Sequence, residues 1–142
     1  MSNWTLRLHQ SRQQRQTNKR ELIPLPNEIR DNYSLQYHLH LEALQAGSGA
    51  LFSLQLLMRV ALSAAVLQQL GYGKDLSLPI EELEAAAKQT LDNGPSGAYR
   101  FDVATYHQFA HLVTYHDGQL DHAPVKALAY VEKQLSQYSK AS

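Results

Sequence analysis

The chain has 142 residues, no cysteine, and 13 basic against 13 acidic side chains, so its formal net charge is zero. That length suits one domain, able to bury about 70% of its unfolded surface without a metal or a disulfide. The missing thiols exclude cysteine nucleophiles, cysteine-ligated zinc and a disulfide framework, and they fit a reducing cytoplasm.

The charge is unevenly spread. Residues 1–20 hold Arg7, Arg12, Arg15, Lys19 and Arg20 and no acid, which leaves 8 basic against 13 acidic side chains, a net of −5, for residues 21–142. The stretch "QSRQQRQTNKR" has no apolar periodicity. It reads as part of a flexible basic arm over 1–20, ahead of a single helical domain over 21–142. No apolar run of a secretory signal follows its charges. The five cations suit a phosphate backbone or an acidic protein surface, and Trp4 and His9 offer rings for stacking on bases. An acidic body without a basic recognition helix weighs against nucleic acid.

Pro24 and Pro26 in "ELIPLPNEIRDN" predict an extended crossing segment. "YSLQYHLHLEALQAG" alternates like a strand at Leu35, Tyr37, Leu39 and Leu41, yet it lacks Val, Ile and Thr. Its Leu, Gln, Glu and Ala predict a helix from about Ser34 to Ala46. Gly47 closes that helix in the left-handed conformation, and Ser48 caps the next.

Fifteen of the 21 residues from 50 to 70 are apolar. A bilayer reading fails on Arg59 near the middle, since a central arginine costs about 2.5–3.5 kcal/mol on insertion scales. The segment is expected to be the central core helix, not a membrane span. A helix apolar on nearly every side offers more surface than a small bundle covers. The patch Ala61, Ala64 and Ala65, with Leu57, is therefore the expected contact face of a homodimer, against a competing reading of packing within the monomer.

"LSLPIEELEAAAKQTLDNGP" predicts a third helix, with Pro79 and the carboxylates Glu81, Glu82 and Glu84 at its first turns and a stop at Asn93-Gly94-Pro95. Asp102 caps a fourth helix running to about Tyr115, and Asp117-Gly118 reads as a turn. A last helix starts near Ala123-Pro124, with Val125, Leu128, Val131, Leu135 and Tyr138 at helical spacing. The fold class is all-α: a compact bundle of about five helices around the 50–70 helix.

Four of the seven histidines, His107, His111, His116 and His122, fall within residues 105–124. On a helical wheel Tyr106, Phe109, Ala110 and Val113 form the buried stripe, and His107 and His111 share a ridge outside it. Two imidazoles four apart suit zinc, which needs at least one more ligand. His116, Asp117, Asp121, His122, His38 and Glu42 are the available candidates. The residue after His107 is Gln108, so the His-Glu-x-x-His motif and its general base are absent. The ridge is expected to be a polar, solvent-facing surface.

No P-loop, nucleophile elbow or dinucleotide-binding glycine pattern occurs. The expectation is a non-catalytic cytoplasmic protein without a cofactor. It acts through protein–protein contacts in an adaptor or regulatory role, as a homodimer. One alternative is a nucleic-acid-associated regulator that uses Arg7, Arg12, Arg15, Lys19 and Arg20. A second is a histidine-dependent metal-binding protein built on His107 and His111.

Overall fold

A computed structural model describes Lys19, residues 21–94 and residues 96–141. The reading of 1–20 as a flexible arm lies outside these residues, apart from Lys19. Among the described residues there are five helices: α1 (Asn27–Ala46), α2 (Leu51–Gln69), α3 (Ile80–Asp92), α4 (Val103–His122) and α5 (Val125–Ala141). The β-bridges among the described residues are two isolated ones, Pro24 with Pro124 and Gly49 with Tyr99. The fold is the all-α bundle expected from the sequence.

α1 starts seven residues earlier than the spacing predicts. The prolines restrict the chain only as far as Pro26, whose carbonyl accepts the first helical bonds from Ile29 and Arg30, both at 3.0 Å. Downstream of it nothing opposes a helix, and Glu28 suits the first turn. Gly47, at φ 82°, closes α1 as expected. Ser48 does not cap α2; its hydroxyl donates back to the Ala43 carbonyl. The cap comes from inside α2, where the buried Ser53 hydroxyl accepts from the Ala50 N–H at 3.1 Å and bonds the His40 ring at 2.8 Å. Gly49 sits so close to α1 that a Cβ would lie 2.3 Å from Leu44. That close approach lets Gly49 and Tyr99 exchange backbone bonds at 3.1 and 2.8 Å.

α2 is the centre, and all four other helices pack on it. Ser53, Leu54, Leu57, Val60, Ala61, Ala64 and Leu67 are buried along it. Its length and composition would also suit a membrane span; contact on several sides accounts for the same composition. Arg59 is on its exposed strip and pairs with Glu132 of α5. The main core gathers Leu41 and Leu44 of α1, Leu83 of α3, and Phe109, Leu112 and Val113 of α4 around α2, with Phe101 stacked on Phe109 at 4.9 Å. A smaller cluster joins Leu67 to Ala123 and to Ala127, Val131 and Leu135 of α5.

α4 departs from the expected end at Tyr115 and runs on to His122. Asp102 does cap its start, accepting the Thr105 N–H at 2.7 Å. Asp117-Gly118 reads locally as a turn, but His116, Gln119 and Leu120 continue the buried stripe of Phe109, Leu112 and Val113. Asp117 pairs with His38 at 2.9 Å, and Asp121 pairs with Arg30, both on α1. These contacts outweigh a helical glycine, which costs about 1 kcal/mol.

Candidate binding groove

α4, lengthened by its extra turns, forms one wall of a groove of about 850 Å³. Gln108, His111, Leu112, Tyr115, Gln119 and His122 recur three or four apart and so share one side of the helix. From Gln108 to His122 the wall is about 21 Å long at 1.5 Å per residue. The opposite wall is the 73–79 segment that links α2 to α3.

That segment has no regular structure and is held by side chains. The Tyr115 hydroxyl donates to the Lys74 carbonyl at 2.6 Å. The Gln68 amide donates to the carbonyls of Lys74 and Leu76, at 3.1 and 2.6 Å, and reaches the Tyr115 hydroxyl at 3.1 Å. Gly73 has φ 94°, and a Cβ there would meet the Tyr115 hydroxyl at 2.6 Å. A larger residue at 73 would push the two walls apart. On the sequence Gln68 belongs to the polar strip of α2, where substitution is expected to do little. In the structure it is the clamp of the groove.

Beneath the groove lies a buried polar relay. Gln119 is fully buried, and its amide donates to the carbonyls of Ala64, at 2.9 Å, and Tyr72, at 3.1 Å. Its oxygen therefore faces His116 Nδ1, 2.9 Å away, and the imidazole must donate there. Nδ1 therefore carries a proton, and the neutral ring is the Nδ1–H tautomer. Burial pushes its pKa down, the Gln119 bond opposing that shift. The ring also lies 5.7 Å from the Tyr37 ring of α1.

The apolar side of the groove is formed by Leu78, Leu83 and Leu112, with Leu76 at its mouth. Lys74, His111 and His122 supply charged or N–H donor groups, and among the described residues no Asp or Glu lines it. The acids of α4 lie on another side of the helix, where Asp117 and Asp121 meet α1.

The other residues singled out from sequence fall in different places. His107 and His111 are exposed, and among the described residues no three His, Asp or Glu side chains converge as metal ligands. Of the candidate third ligands, His116 is in the core, His38 holds Asp117, Asp121 pairs with Arg30, Glu42 accepts from the Tyr106 hydroxyl at 2.7 Å, and His122 lines the groove with His111. Leu57, Ala61 and Ala64 have no exposed surface, and Ala65 is half-buried. Leu57, Ala61 and Ala64 are covered by their own chain, and α4 reaches the Ala64 carbonyl through Gln119. Lys19 is exposed. Arg7, Arg12, Arg15 and Arg20 lie outside the described residues.

Comparison with protein-family models, with curated proteins and with solved structures finds no match.

Proposed function

We propose that the protein is non-catalytic and works by protein–protein contact, in an adaptor or regulatory role. Its contact surface is the groove between α4 and the 73–79 segment, which receives an apolar segment of a partner. The observation that carries this reading is the groove itself: a half-open channel with leucine side chains along it, walled by a rigid helix and a tethered strap. Sites that bury a guest combine a largely apolar lining with a few placed polar groups. Each Leu- or Phe-sized side chain that leaves water there contributes about 1.5–3 kcal/mol before ordering costs. A twofold contact on Leu57, Ala61 and Ala64 is not part of the reading, because their own chain already covers them.

The test is a photo-crosslinking amino acid at Leu76, which is half exposed at the mouth of the groove. A control carries it at Leu91, exposed on α3 and outside the groove lining. In the producing cells, position 76 should cross-link to one apolar segment of one partner, mapped by mass spectrometry, and position 91 should not. No cross-link from 76, or the same product from both positions, contradicts the proposal.

A further inference from the structure

The charge around the groove runs against the charge of the body. Residues 21–142 carry a net of −5, yet among the described residues no carboxylate lines the groove; Asp75, exposed on the same strap, stands outside the lining. Three groups at its edges are an ammonium, Lys74, and two imidazoles, His111 and His122. An imidazole keeps at least one N–H donor in either protonation state, and an ammonium offers three. Leu76 and Leu78 lie between Lys74 and the first turn of α3, while His111 and His122 stand along α4 on the opposite wall. An occupant therefore meets apolar surface in the middle and donors on both sides. An acceptor group carrying negative charge meets donors there on both walls.

Resting on the proposal that the groove receives a partner protein, we infer that the partner segment is both apolar and acidic. It sets Leu-, Ile- or Phe-type side chains against Leu78 and Leu112 and an Asp or Glu carboxylate against Lys74, His111 and His122. The carboxylate selects among apolar segments: a basic one of equal hydropathy is turned away by Lys74.

Random octapeptides displayed on phage and selected on the full-length protein test this. Eight extended residues span about 26 Å, enough to cover the groove. Enriched peptides should combine apolar side chains with at least one Asp or Glu and be depleted in Lys and Arg. Their binding should be lost with Leu76→Asp, at a position half exposed to water, with the variant's circular dichroism expected to match the wild type. It should weaken about tenfold with Lys74→Glu or His111→Glu, the scale of one charge-assisted contact. Apolar peptides with no acidic bias that still depend on Leu76 overturn the charge selection and leave the groove standing as a docking surface. Enrichment that survives Leu76→Asp, or no enrichment, overturns both.

Discussion

His116 shows how one buried side chain ties local chemistry to global stability. Burial disfavours its imidazolium and outweighs the Gln119 oxygen, which accepts from Nδ1 and by itself favours the charged form. In the unfolded chain a histidine takes up a proton near pH 6.5. The folded-state value is lower, so the unfolded state binds more protons as pH falls below about 6.5. Stability from this site is full above that pH and is lost progressively toward the lowered folded value. Urea unfolding across pH 7.5 to 5 should show the decline. His116→Phe should flatten that decline and cost about 1–3 kcal/mol at neutral pH, since the Gln119 oxygen loses its donor. A wild-type stability that does not fall below pH 6.5 contradicts the buried neutral ring. At the alkaline end, burial pushes the Tyr37 phenol up to about 12, with Tyr33 and Glu132 adding to it. Stability from Tyr37 is full below about pH 10, the unfolded value, and falls as pH rises through the folded one.

At the scale of elements, α4 sets the shape of the groove, and its weakest residue is Gly118. It is helical and exposed, and a Cβ there meets nothing within 4 Å. Gly118→Ala should stabilise the protein by about 0.4–1 kcal/mol by removing freedom from the unfolded chain. A destabilised variant would show that α4 does not continue through 118. The strap gives a second prediction. Gln68→Ala should speed amide exchange across residues 75–78 while costing only about 0.5–1.5 kcal/mol globally; unchanged exchange would remove Gln68 as the clamp. α2 was legible in the sequence because an apolar run of its length has few other places in a small chain. α3, the cap at Asp102 and the end of α1 at Gly47 were legible because those signals are local. The last turns of α4 were not. Asp117-Gly118 looks like a turn until Asp117 meets His38, which lies 79 positions away. The first turns of α1 were missed because the effect of Pro26 was carried too far downstream.

Across the whole molecule, the small-residue face of α2 is covered by its own chain, while Leu51 and Phe52 of its first turn stay exposed. Ala64→Glu should therefore unfold the protein, since an unpaired buried charge costs more than about 3 kcal/mol. Leu39→Glu, at a side chain 54% exposed on α1, should change stability by less than about 0.5 kcal/mol. A folded, soluble Ala64→Glu variant would return the small-residue patch to the surface. The groove was not legible at all, because Gln68, Tyr115 and Gln119 meet the 72–76 carbonyls only through tertiary packing, and a polar loop with two glycines carries no mark of being a wall. Its role as the recognition surface is the central claim, and the amide NMR spectrum of the full-length protein tests it most directly. On titration with a selected acidic, apolar octapeptide, the shifted amides should fall in residues 73–79 and on the 108–122 side of α4. Shifts confined to α1, to α5 or to residues 1–20 would contradict it.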